Sequence, residues 1–199
     1  ANMNFTGKIV RDVPNVNSIL SVTGGHTGSL TFTELTADDG VILANSGDGL
    51  QRQGALTDNL LAGFGLGVDG VRYGAVESLN LGLGSGDDKL IIWDTTAITT
   101  VDMGGGQDWL ELFGNQKPLT VYQSDGGALF ANLGGLNNYA NCILGGLRAQ
   151  VTLNGGGHPG SQLVVRNEGD PAHYDGVVSA TSVTGMGMGV GLGTGYGSS

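Results

Sequence analysis

Two stretches decide the fold: Gly84-Ser-Gly-Asp-Asp-Lys-Leu-Ile-Ile92 and Gly104-Gly-Gly-Gln-Asp-Trp-Leu-Glu-Leu112. Each is a glycine turn that leads into alternating apolar and polar residues, the pattern of a strand with one buried face. Their glycines and their leucines, Leu90 and Leu110, are 20 residues apart. Two short strands and two turns in about 20 residues predict coils that stack on one another.

The same order of strand, glycine turn and strand occurs twice more, around residues 24–28 and around residues 155–160. Glycine contributes 39 of the 199 residues and suits stacked turns, because it accepts positive φ and close backbone approach. The sequence therefore predicts an all-β fold, a parallel β-helix or β-roll-like solenoid of glycine-punctuated strands. A β-sandwich is the alternative, because antiparallel sandwiches also place short strands at regular spacing.

A longer repeat lies above the 20-residue spacing. The stretch Gly24–Leu30 matches 156–163, and Thr57–Gly67 with Tyr73 corresponds loosely to Ser182–Gly189 with Tyr196. We therefore predict a first repeat module at 1–147, with its clearest turns at 76–113, and a partial second module at 148–199. The alternation of glycine with large residues in 63–67 and 185–193 predicts extended strands that carry their bulk on one face.

Composition excludes several function classes. The net charge of −10 repels phosphate backbones and disfavours nucleic-acid binding, whereas carboxylates suit hard cations. A single cysteine, Cys142, allows no internal disulfide. No apolar stretch reaches the roughly 18 residues of a membrane span, so no membrane insertion is expected. The histidines and serines show no catalytic or metal-binding spacing, so we predict that the chain is not an enzyme.

The region 76–113 resembles the RTX, or hemolysin-type, repeats of large secreted bacterial surface and adhesin-like proteins. The resemblance rests on the Gly-Asp turns quoted above, which are close to the nonapeptide of calcium-binding β-rolls. It implies that glycine carbonyls and aspartate carboxylates of adjacent turns enclose Ca²⁺. The candidate metal-site residues are Asp87, Asp88, Asp108, Gly84, Gly86 and Gly106, with calcium as the cofactor. A metal-free Asx turn at each Gly-Asp corner is the alternative.

The resemblance also implies a secreted or cell-surface location and an adhesive or matrix role. We expect an extracellular structural module that associates with itself, or with neighbouring repeats of a longer chain, into a layer, matrix or filament. The alternative is a polysaccharide-binding or polysaccharide-lyase-like protein. Trp93 and Trp109 follow equivalent glycine turns, and exposed aromatic rings stack on sugars. Glycans are therefore the alternative partner.

Overall fold

The computed structural model describes residues 19–23, 30–33, 40–45, 47–135, 142–189 and 193–197. These residues form strands, turns and loops and contain no helix. It follows that no described helix has the length and apolarity to cross a membrane. The strands are β1 Ile19–Thr23, β2 Leu30–Thr33, β3 Gly40–Ala44, β4 Gln53–Leu56, β5 Leu60–Gly63, β6 Val71–Gly74, β7 Ser78–Gly82, β8 Lys89–Ile92, β9 Ile98–Asp102, β10 Gln107–Leu112, β11 Leu119–Tyr122, β12 Ala128–Leu133, β13 Val151–Asn154, β14 Gln162–Val165, β15 Gly176–Val178, β16 Ser182–Gly185 and β17 Gly193–Gly197.

The strands form two sheets with one hydrophobic core. The nine-stranded sheet has the order β1-β3-β7-β9-β11-β13-β17-β16-β15, and the eight-stranded sheet has the order β14-β12-β10-β8-β4-β5-β6-β2. Leu79 of the first sheet and Leu90 and Leu110 of the second belong to the same buried cluster, and all three are fully buried. Each such side chain stabilises the fold by roughly 2 kcal/mol through removal of apolar surface from water.

From β7 to β14 the chain alternates between the sheets and adds each new strand in parallel. Ser78 pairs with Ile98 and Lys89 pairs with Trp109, so β7 and β9 are offset by 20 residues, as are β8 and β10. Successive side chains of a strand point to opposite faces, so alternate residues of these strands face the core. In β7, for example, Leu79 and Leu81 are buried.

The prediction of a parallel β-helix or β-roll-like solenoid is nevertheless wrong, because both sheets are mixed. In the eight-stranded sheet β4, β5 and β6 are successive antiparallel neighbours, and in the nine-stranded sheet β15, β16 and β17 are. The predicted β-sandwich also fails as an antiparallel arrangement, because the remaining described pairings are parallel.

The sheets are mixed because the chain makes two tight turns within β4–β5–β6 and two within β15–β16–β17, which we call the antiparallel units. Asp58 and Asn59 form a two-residue turn closed by the bond from Thr57 N to Leu60 O, 2.9 Å, which sends the chain back beside β4 instead of across to the other sheet. The second reversal begins at Gly63, where Phe64 also has positive φ. The extended strand predicted for 63–67 is therefore wrong, and residues 185–187 form the same kind of turn.

The predicted module boundary at residue 147 does not separate two bodies of structure. Strand β13 pairs with β11 and strand β14 pairs with β12, so both sides of the boundary share both sheets. The division into 1–147 and 148–199 stays a prediction about sequence repeats. Its first glycine turn, 24–28, lies outside the described residues.

Candidate functional site

The glycine turns before β8 and β10 lie against each other and against the turn before β4. A Cβ atom at Gly84 would collide with the carbonyl of Asp48, and one at Gly86 would collide with the backbone of Leu50. Gly106 has φ +100° and sits against the carbonyl of Gly86. Glycine is required at these positions because the neighbouring backbone fills the space of a side chain.

Three aspartates use this close approach to join successive turns. Asp108 Oδ1 accepts a hydrogen bond from Asp88 N at 2.7 Å, and Asp88 Oδ1 accepts one from Arg52 N at 2.7 Å. Asp87 Oδ1 accepts one from Gln107 N at 2.8 Å. We call Asp87, Asp88 and Asp108 the aspartate ladder. The structure thus brings together the three carboxylates that the 20-residue spacing places in adjacent turns.

The ladder continues at both ends with residues that the sequence analysis did not select. Gln123 Nε2 donates to Asp108 Oδ2 at 2.6 Å and to the carbonyl of Gly104 at 3.0 Å. At the other end Arg52 Nε donates to Asp48 Oδ2 at 2.6 Å. Gln123 follows β11, and no Gly-Asp turn precedes that strand. The sequence pattern therefore did not indicate that Gln123 contacts the ladder.

Burial disfavours ionisation of two residues of the ladder, Asp108 and Asp88. Asp108 is fully buried, and loss of solvation raises the pKa of its carboxyl to about 6, with the nearby carboxylates of Asp88 and Asp87 adding to the rise. Burial also raises the pKa of Asp88. The hydrogen bond from Arg52 instead lowers the pKa of Asp48. The inner part of the ladder is therefore held in a place that disfavours negative charge.

The predicted calcium site has its residues in contact, with their oxygens directed at amides. Both oxygens of Asp108 and one of Asp88 accept hydrogen bonds within the protein, as does Asp87 Oδ1. The described residues contain no group of three or more His, Cys, Asp or Glu side chains arranged to hold a metal. Asp102, beside the turn, accepts a bond from Gly104 N at 3.0 Å. Calcium binding stays a prediction.

An open groove of about 560 Å³ lies on the outer face of the eight-stranded sheet, beside the ladder. Asp87 and Lys89 line one side, and Trp109 and Phe130 form an aromatic wall with ring centroids 5.9 Å apart. Glu111 in the floor is 2% exposed, and Lys89 Nζ lies 2.7 Å from its Oε1. The groove therefore offers one exposed ring, charges of both signs and amide side chains.

Trp93 lies one strand further along the same face. It stacks on Phe113 with centroids 4.4 Å apart and is 52% exposed, while Trp109 is 37% exposed. The two tryptophans that follow equivalent glycine turns are thus both partly open to solvent. Trp93 stacks on Phe113, directly after β10, and Trp109 stacks on Phe130 of β12.

His158 lies apart from this region. His158 lies in the turn after β13, where its Nδ1 accepts a hydrogen bond from Gly160 N at 3.0 Å. This bond gives His158 a local turn-forming role. Its sequence counterpart His26 lies outside the described residues.

Comparisons of the chain with protein families, with curated proteins and with solved structures find no match.

Proposed function

We propose that this chain is an extracellular structural or adhesive module that associates with itself through the ends of its sheets. One observation carries the proposal: β15, the last strand of the nine-stranded sheet, is exposed along its length. Val177 is 65% and Val178 is 72% exposed. A secreted or cell-surface location and the likeness to RTX repeats belong to the same proposal, and no catalytic role is included.

An exposed apolar edge strand supports association for a simple reason. Its outward N–H and C=O groups are a template for another strand, and soluble proteins usually block such an edge with charge, proline or a bulge. The three described residues of β15, Gly-Val-Val, contain none of these. Strand addition would satisfy the backbone and bury both valines.

Sedimentation velocity across a concentration series, with electron microscopy of the same samples, tests this function. We expect oligomers that grow with protein concentration. The variant Val178→Lys should shift the population to monomer, whereas Val68→Lys, at a fully exposed valine outside the strands, should not. A monomer at all concentrations contradicts the proposal.

Calcium is proposed as a stabiliser of the aspartate ladder. Its support is the proximity of the Asp88 and Asp87 carboxylates to Asp108, whose pKa their negative charge raises and whose charge a cation would neutralise. Thermal melting with calcium and with EDTA tests it. We expect a higher midpoint with calcium in the wild type and a smaller rise in Asp87→Asn. An unchanged wild-type midpoint removes calcium from the account.

Polysaccharide binding is the second candidate function, and the groove beside Trp109 favours it. Sugar rings pack on exposed aromatic faces, while Asp87, Lys89 and amide side chains suit hydroxyl groups. Affinity electrophoresis in gels that contain neutral or acidic polysaccharides tests it. Trp109→Ala should abolish any retardation, and Tyr174→Ala, at an exposed ring elsewhere, should keep it. Unsaturated products from polyuronides would indicate the lyase instead.

A further inference from the structure

Two antiparallel units of the described chain, β4–β5–β6 and β15–β16–β17, have the same construction, 122 residues apart. In the first, β4 pairs with β5 through Gly54 and Gly63. In the second, β15 pairs with β16 through Gly176 and Gly185. A third strand, β6 or β17, then follows antiparallel to the second.

The turns of the two units match as well. Thr57 Oγ1 accepts from Leu60 N at 3.1 Å, and Ser179 Oγ accepts from Ser182 N at 2.9 Å. The second turn has three successive residues with positive φ in both units, namely 63–65 and 185–187. Position 56 of the first unit therefore corresponds to position 178 of the second.

In the first unit the outer edge of β4 is covered by a parallel strand, β8. Trp93 N donates to the carbonyl of Leu56 at 2.9 Å, and Lys89 N donates to the carbonyl of Arg52 at 2.8 Å. Leu56 is fully buried as a result of this cover and the core beneath it.

In the second unit none of the described strands covers the same edge. The bond from Ser179 N to Ser182 O, 2.8 Å, makes the next pair along, Val178 with Val183, a non-hydrogen-bonded pair. The N–H and C=O of Val178 therefore point away from β16, towards the side on which β15 has no neighbour among the described strands. Val178 is 72% exposed where its counterpart Leu56 is fully buried.

The core is also open near this unit. A cavity of about 510 Å³ lies between the sheets beside β14, the last described strand of the other sheet at this end. Leu129, Leu153 and Leu163 contribute apolar surface to it, and Ala180 of the β15–β16 turn reaches its rim. Apolar surface that faces a cavity at a sheet end is available to a docked neighbour.

We propose that β15 binds, in parallel, strand β1 of a second copy of this chain. This inference rests on the proposed self-association and names its contact. In the nine-stranded sheet the neighbours from β1 through β3, β7, β9, β11 and β13 to β17 are all parallel. Strand β16 is antiparallel to β17 and β15 is antiparallel to β16, so β15 again runs in the direction of β1. Hence β1 and β15 are the two edges of this sheet among the described strands and run the same way, so a second copy placed end to end continues the sheet.

This contact joins different surfaces of the two copies, so it leaves an open β15 edge at the far end. Such a head-to-tail contact propagates into a linear assembly unless rotation closes a ring. We expect β1 of the second copy to form the same backbone hydrogen bonds with β15 that β8 forms with β4 in the parallel pair of the first unit.

Cysteine cross-linking tests the pairing. Val177→Cys is mixed with Ser21→Cys or, for the neighbouring register, with Val22→Cys, and mild oxidant is added. We expect a disulfide-linked mixed dimer in one of the two mixtures and no disulfide-linked dimer from either variant alone. When both substitutions are in one chain, we expect a series of multimers. The wild type is the reference, because its Cys142 is 1% exposed.

Matched variants connect the cross-link to the edge. Val178→Lys should lower the yield at least tenfold and Val68→Lys should leave it unchanged, with circular dichroism melts confirming that both variants fold. Cross-linking of Val177→Cys with itself, or oligomers in sedimentation without a mixed dimer, overturns the β15–β1 contact while self-association stands. A monomer in sedimentation overturns both.

Discussion

Neutralising Asp108 should stabilise the protein at neutral pH. The carboxyl has a pKa of about 6 in the folded chain against 3.8 as its ordinary value, a difference of about 2 units. Each unit corresponds to about 1.4 kcal/mol, so the buried charge costs roughly 3 kcal/mol at pH 7.5 relative to pH below 3.8. Because the folded pKa is raised, the free energy of unfolding rises as pH falls through 6. About 2 kcal/mol of this gain is present at pH 4.5.

The assay is urea unfolding followed by tryptophan fluorescence at pH 7.5 and pH 4.5, in EDTA. The wild type should be more stable at pH 4.5, and Asp108→Asn should lose most of this dependence, because its amide carries no charge at either pH. Asp125→Asn, at an exposed turn, is the matched control and should behave as the wild type. Asp88 acts in the same direction, whereas Asp48, with a lowered pKa, loses its contribution below pH 3.8, outside this window. A wild type that is equally or less stable at pH 4.5 refutes the reasoning.

Three further predictions use the same unfolding measurement. Gly86→Ala should cost about 2 kcal/mol or more because its Cβ meets the neighbouring turn, while Gly47→Ala, with open space around it, should stay within about 0.5 kcal/mol; equal effects would contradict the close-approach argument. Lys89→Met should cost roughly 1–3 kcal/mol by leaving the buried Glu111 carboxylate without its cation, and adding Glu111→Gln should recover most of the loss. Leu110→Ala should cost about 2–5 kcal/mol through a cavity between the sheets, and a loss below 1 kcal/mol would indicate a looser core than the burial implies.

Part of the fold was predictable because it depends on local pattern. The alternation in 78–82 and 89–92 identifies strands β7 and β8, and the equal spacing to Ile98 and Trp109 predicts which strands lie side by side. The contact of Asp88 with Asp108 follows from that register. In these places one residue in two faces the core, and the same pattern recurs after each turn.

The antiparallel units were not predictable in the same way. The Gly-large-Gly pattern around Phe64 is compatible with an extended strand or with a turn. Packing of this segment in the folded chain determines that residues 63–65 all have positive φ. The side chain of Phe64 is 5% exposed, which shows that burial of the ring accompanies the reversal. Sequence periodicity carries no information about which sheet a strand joins after a turn.

The sequence by itself determined the strands that flank the glycine turns, those turns, and the 20-residue register that stacks the aspartates, because all three depend on residues close along the chain or on the 20-residue repeat. The tertiary structure decided the mixed sheets, the contacts of Gln123 and Arg52 with the aspartate ladder, and the exposure of β15. These features depend on contacts between segments far apart in the chain. Leu56 and Val178 hold equivalent places in similar sequence, yet one is buried and the other exposed, because only the first has a neighbouring described strand at its edge.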